Sequence, residues 1–214
     1  MDNTDPFHSA ARVELGTGDS IAPTQQKAFS IWFTAHSSTG TYTTDWRMLR
    51  ENVEWFGDTD LKSVQVKDGV SINLGTSNIN NNLTCPNDGD GHNTGTTIGG
   101  VECRKNTNTG DDYFFYFCVS DSWAYQGSKQ DVYIKLNYYD TGGGTIELNY
   151  DAIGNQWKSG GTVTLGTTNT WKTYTWHVTD AYFGNRTSGA DMRFFIGTGV
   201  TRYFDQVQVS TGSL

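Results

Sequence analysis

The sequence predicts an all-β chain, an antiparallel β-sandwich with jelly-roll connections behind an N-terminal extension of different character. Three observations carry this expectation. Short runs of strand-forming residues recur from residue 61 onward, each bounded by turn residues. The 25 glycines supply tight turns, and aromatics at 14% supply enough large side chains to fill a sheet interface. With 214 residues the chain can bury the core of one large sandwich, or of a sandwich and a smaller unit.

The elements follow in order. Residues 1–65 form the extension, with a short candidate strand over 11–15 and a polar turn region over 16–26. Phe29-Ser-Ile-Trp-Phe-Thr-Ala35 alternates as a strand does. Asp45-Trp-Arg-Met-Leu-Arg-Glu-Asn-Val-Glu-Trp-Phe56 reads as a helix capped by Asp45, with Trp46, Leu49, Val53 and Phe56 on one face. The alternative is two strands broken at Glu51-Asn52. The extension is either the tail of a preceding catalytic domain, in which Trp32 and Trp46 neighboured an active site, or a set of added strands. From residue 61 the pattern settles into strands, with one over 61–66 leading into the sandwich of 66–214: a strand over 70–74, a long polar loop over 76–97, and the nearly continuous apolar run Tyr113-Phe-Phe-Tyr-Phe-Cys-Val119, which suits a central strand covered on both faces. Strands over 131–139, 145–150, 162–165, 171–178, 193–196 and 203–209 complete the set, joined by turns such as Gly142-Gly-Gly144.

A net charge of −8 and no basic run argue against nucleic acid, whose phosphates need clustered Lys and Arg. No stretch has the length of a membrane-spanning helix, so membrane insertion is not expected, and Met1-Asp-Asn-Thr-Asp-Pro6 lacks the basic and apolar regions of a signal peptide. Of the 3 cysteines, Cys85 and Cys103 flank the Gly/Asn-rich loop, where a disulfide would bridge it in an oxidising compartment; two reduced thiols are the alternative. Cys118 reads as a buried free thiol.

Chemistry-bearing residues concentrate in Asp180-Ala-Tyr-Phe-Gly-Asn-Arg-Thr-Ser-Gly-Ala-Asp-Met-Arg-Phe-Phe-Ile196, a loop in which Gly184 and Gly189 bracket the turn residues 185–188, ending in the strand-forming run 192–196. The segments 83–93, Gly99-Gly-Val-Glu-Cys-Arg-Lys-Asn106, 113–125, Leu136-Asn-Tyr-Tyr-Asp140 with Leu148-Asn-Tyr-Asp151, and Thr170-Trp-Lys-Thr-Tyr174 leading to Asp180-Ala-Tyr-Phe-Gly-Asn-Arg186 resemble, in that order, a carbohydrate-binding-module-like β-sandwich. Such modules accompany bacterial carbohydrate-active enzymes and cell-surface proteins. The resemblance implies a galactose-binding-type jelly roll that binds a glycan without cleaving it, in a secreted or surface-attached protein, beside an adjoining catalytic domain. The rival readings are a structural or adhesive subunit that self-associates through its exposed aromatics, and a glycan lyase or hydrolase whose site lies across residues 1–65 and the sandwich.

Sugar rings stack apolar C–H faces on flat aromatics while their hydroxyls need directional partners. Trp123, Tyr125, Trp157, Tyr182, Asn185 and Arg186 offer both on expected loops. For the aromatics the competing role is packing, and Arg186 has the alternative of a tie to Asp180 or Asp191. Trp171 and Trp176 are expected in the core. Asn87-Asp-Gly-Asp-Gly-His92 resembles part of a calcium loop, since glycines let alternate carboxylates turn toward one hard cation, and a solvated acidic turn is the alternative. The resemblance adds Asp205, so that Asp88, Asp90 and Asp205, with Glu102, form the candidate Ca²⁺ ligands. Catalysis has little support: Glu51 with Glu54, and Asp140 with Asp151, read as turn caps or a solvated face, and no metal-binding His spacing or nucleophile elbow is present. The sequons Asn82-Leu-Thr84 and Asn185-Arg-Thr187 carry no weight without an export signal.

Overall fold

The computed structural model describes residues 5–8, 12–29, 31, 33–36, 38–107 and 111–213. The chain divides into two compact units, Met1–Lys67 and Asp68–Leu214. Among the described residues every helix or strand is a strand.

The first unit is built on one long hairpin of β1 (Gly40–Arg50) and β2 (Glu54–Val66), with a register shift between Trp46 and Met48. The helix expected over 45–56 is therefore overturned in favour of two strands. Asn52 takes a left-handed φ of 57°, a conformation Asn tolerates, and Val53 N donates to Arg50 O at 3.0 Å. The chain folds back there, pairing Leu49 with Trp55 and Arg50 with Glu54. Phe7 is the buried centre of a small aromatic cluster, 5.8 Å from Phe33 and 5.9 Å from Tyr42, and Trp46 gives its indole N–H to Thr44 Oγ1 at 2.7 Å. Residues 12–15, 29, 31 and 33–35 are not in strands, which corrects those two expectations; Ala11, Ser30 and Trp32 lie outside the described residues.

The second unit is the sandwich. Its strands are β3 (Gly69–Asn73), β4 (Ile79–Asn81), β5 (Leu83–Thr84), β6 (Asn93–Ile98), β7 (Val101–Asn106), β8 (Phe114–Val119), β9 (Val132–Tyr139), β10 (Thr145–Ala152), β11 (Asn155–Thr164), β12 (Trp171–Val178), β13 (Met192–Phe195) and β14 (Tyr203–Ser210). The polar stretch 76–97, expected as loop, thus carries three short strands. One sheet has five strands in the order β11-β10-β13-β8-β5, the other runs β12-β9-β14-β3-β4, and β7 joins it beside β14 with β6 on its far side. All named pairs are antiparallel, and the connections from β9 to β10 and from β11 through β14 cross between sheets, as in a jelly roll.

Alternation decides what each strand contributes. In β9, Val132, Ile134, Leu136 and Tyr138 are buried while the residues between them are half-exposed. Phe115 and Phe194 from the five-stranded sheet meet Phe204 from the other at 4.6 and 5.7 Å, and Trp176 lies 5.3 Å from Phe194. Each such fully buried side chain stabilises the sandwich by about 1.5–3 kcal/mol relative to exposure. Trp171, expected in the core, is instead half-buried and gives its indole N–H to Ile98 O at 3.2 Å. One buried carboxylate fixes the loop from β11 to β12: Asp140 accepts from Gly166 N, Thr167 N, Thr168 N and Thr168 Oγ1 and pairs with Lys172 Nζ at 2.8 Å.

Candidate functional site

Most residues expected to meet sugar sit where the loops 120–129, 151–155 and 180–191 converge. Gly127 N donates to Tyr182 O at 2.7 Å, and Ile153 N to Asp180 O at 2.9 Å. Here the side chains mainly hold the loops together. Arg186 spends Nε and Nη2 on the Asp151 carboxylate, donates again to Ala152 O at 2.8 Å, and lies 4.0 Å above the Tyr182 ring. Its partner is thus Asp151, rather than Asp180 or Asp191. Asn185 donates its side-chain amide to Asp121 at 3.0 Å and its backbone N–H to Asp191 Oδ1 at 2.9 Å. Asp191 is fully buried, and burial pushes its carboxyl up to about 6 despite bonds from Asn185 N and Val119 N. Trp123 packs on the core and donates to Asp68 Oδ1 at 2.8 Å, while Lys129 covers its ring and pairs with Asp68, whose carboxyl is held below its usual range mainly by that lysine. Tyr125 is 40% exposed on the same loop.

Trp157 belongs to a different surface. Across the five-stranded sheet, Asn149 of β10 pairs with Arg193 of β13, which pairs with Tyr116 of β8, so these side chains form one row on the face away from the core. Glu147, Phe195 and Phe114 form the next row. Arg193 is the centre of both. Its guanidinium carbon lies 3.8 Å from the Phe114 ring centroid and 4.2 Å from that of Trp157. Nε donates to Asn149 Oδ1 at 3.3 Å and Nη1 to Tyr116 Oη at 3.1 Å. Tyr116 passes its hydroxyl proton toward Asp90 Oδ1 at 2.8 Å, and Asn149 gives its amide to Glu147 at 3.1 Å. Burial, together with the bond to Asp90, raises the Tyr116 phenol above its ordinary value, so it stays protonated and donating. The result is a planar cation lying against two rings, with amide, phenol and carboxylate groups around it on the same face of the sheet. Sequence reasoning found only Trp157 and, in another role, Asp90. Arg193, Phe114, Tyr116, Asn149 and Glu147 were missed because strand parity alone does not reveal which strands lie side by side.

Three of the four candidate calcium ligands have separate side-chain partners. Asp90 bonds Tyr116, Glu102 lies within 3.4 Å of Thr76 Oγ1, and Asp205 accepts from Asn137 at 2.7 Å on the other sheet. Asp88 shares the turn with Asp90, its carbonyl accepting from Gly91 N. Among the described residues no three His, Cys, Asp or Glu side chains converge as a ligand set. The bridge between Cys85 and Cys103 is not formed: both are free, as is Cys118. Cys85 follows β5, the neighbour of β8 and its Cys118, whereas Cys103 lies in β7 beside β14 of the opposite sheet. Cys118 is half-exposed rather than fully buried. Asp140 and Asp151 are each sealed in a structural tie, and Glu51 pairs with Arg12 at 2.8 Å on the hairpin unit.

No protein-family profile matches the chain, and no curated protein matches it. Solved structures do. The chain is similar to family 29 carbohydrate-binding modules. A point mutant of CBM29-2 shares 16% identity over 69% of this chain and 95% of its own, with a TM-score of 0.46. CBM29_1 from Piromyces equi shares 14% over 68% and 92%, with a TM-score of 0.43. A protein described under Bacillus endospore appendages, a novel family of disulfide-linked pili, aligns over 86% of this chain and 100% of its own at 11% identity and a TM-score of 0.25. Likeness at these scores assigns no activity to this chain.

Proposed function

We propose that this chain binds a glycan on the outer face of the five-stranded sheet, as a holding surface rather than a catalytic one. The observation that carries the reading is the Arg193 guanidinium against Phe114 and Trp157, with Nε bonded to Asn149 and Nη1 to Tyr116. Flat rings suit the C–H faces of a sugar, and the amide, phenol and guanidinium suit its hydroxyls. The pairing of Asp140 with Lys172, and of Asp151 with Arg186, leaves neither carboxylate disposed as an acid or base on a glycosidic bond. The function would be to keep an adjoining enzyme, or a cell, near polysaccharide in a secreted or surface setting. Affinity electrophoresis through a panel of embedded polysaccharides, in calcium and in chelator, tests this. Retention without release of reducing ends or unsaturated products supports it. A panel with no retention in either condition refutes it.

A second reading has its own observation. Met48, Val53, Trp55, Phe56 and Leu61 of the β1–β2 hairpin are exposed, an unusual density of apolar groups for a ribbon of two strands. A structural or adhesive subunit would use them in self-association. Concentration-dependent sedimentation, with no glycan retained, favours that reading over the first.

A further inference from the structure

The sandwich unit has four arginines, and three of them are spent inside the protein. Arg186 is paired with Asp151 at 2.6 Å. Arg104 bonds through all three nitrogens to Asn93 and Gly75 oxygens. Arg202 is buried and gives both terminal nitrogens to the carbonyls of Thr141, Thr201 and Gly143. Arg193 differs. It lies against two rings and gives Nε and Nη1 to two neutral oxygens on the strands either side, yet among the described residues no carboxylate lies within ion-pair reach and Nη2 makes no hydrogen bond.

A guanidinium carries five N–H donors in a rigid fork. Two are engaged here, on Nε and Nη1, which leaves the fork between Nη1 and Nη2 open. That edge matches the two oxygens of a carboxylate, whereas a sugar hydroxyl offers one acceptor atom. The neighbouring acids do not neutralise it. Asp90 and Glu147 are held by Tyr116 and Asn149, the same groups whose oxygens accept from Arg193, so each acid orients a neutral partner of the cation from one residue away.

We propose that the glycan bound on this face is acidic, a uronate whose carboxylate pairs with the open fork of Arg193 while adjoining sugar C–H faces lie on the exposed indole of Trp157. This inference rests on the glycan-binding reading above. Calorimetric titration separates the two. The probes are oligomers of galacturonate, mannuronate and guluronate, each beside its carboxyl-reduced counterpart, with a sulfated galactan as the other anionic arm. The expected result is that at least one uronate oligomer binds about tenfold or more tighter than its reduced form. Arg193→Gln brings that ratio close to one, and Arg193→Lys, which keeps the charge but not the fork, restores only part of it. Because the carboxyl reduction alters the ligand alone, the comparison holds even where an arginine variant folds poorly. Equal binding of every uronate and its reduced form overturns the inference and leaves the glycan reading standing. A preference for the sulfated galactan overturns the assignment to uronate. Absence of binding by all oligomers and by the neutral panel overturns both.

Discussion

Arg186 Nη2 lies 2.6 Å from Oδ1 of Asp151, a carboxylate with no exposed surface. The pair ties the loop before β13 to the end of β10, and Asp151 also accepts from Gly184 N at 2.8 Å. Arg186 is therefore a strut. Removing it leaves a buried anion short of its counter-charge, which is the costly way to break such a pair. Arg186→Ala should lower the thermal midpoint by about 5 °C or more, while the folded fraction keeps its glycan affinity. A calorimetric scan and an affinity gel on the same preparation check both halves.

Trp157 and Trp123 should part company on mutation. Trp157 lies against the Arg193 guanidinium and is partly exposed, so Trp157→Ala is expected to weaken retention about tenfold with little change in stability. Trp123 packs on the core and bonds Asp68. Trp123→Ala should cost about 2–4 kcal/mol of unfolding free energy and leave retention unchanged. Urea denaturation beside affinity electrophoresis reads the two effects separately.

Asp191 sets a pH dependence of definite sign. Its folded carboxyl is pushed up to about 6 from 3.8, first by burial, with Asp121 and Asp151 adding to the shift. Below the unfolded value both states carry the proton and nothing is lost. As pH rises toward 6 the unfolded chain ionises first, so this residue's contribution to stability falls, and above 6 the loss is complete. Asp191→Asn cannot ionise. Its stability relative to the parent should therefore rise by about 1–3 kcal/mol between pH 4 and pH 7, measured by urea unfolding at both. A constant difference would contradict the assignment.

The thiols predict slow chemistry. Burial pushes Cys85 up to about 12 and both Cys103 and Cys118 up to about 11, so almost no thiolate exists at pH 8. Iodoacetamide should leave the native protein's mass unchanged over a period in which the urea-unfolded chain takes up label at every cysteine. Dithiothreitol should not move the thermal midpoint, since no bridge is present to reduce.

The sandwich was legible where a strand's own residues settle its environment. The run at Phe114–Val119 is apolar enough to belong inside a sheet whatever its neighbours, and it lies between β13 and β5, but the expected cover on both faces is corrected: Phe114 and Cys118, on the face away from the core, are only half-buried. The hairpin was less legible. Trp46, Leu49, Val53 and Phe56 have helical spacing, yet Asn52 turns the chain and the register pairs Leu49 with Trp55, a tertiary outcome that overrides local period. Trp171 was expected in the core because tryptophans usually are, but its place in β12 sets it opposite Tyr139, among half-buried rings. The proposed binding face was the least legible. Arg193 reads as one polar residue in an apolar strand until β10 and β8 are known to flank it.

The alternation that hid this face also separates two kinds of evolutionary freedom. In β8, β10 and β13 the residues that hold the sandwich together, such as Phe117, Leu148 and Phe194, interleave with Phe114, Asn149 and Arg193, which point the other way. If the proposed face binds ligand, its preference can drift by substitution at every second position while the scaffold stays the same. A combinatorial library confined to those outward codons would explore new specificities on an unchanged frame.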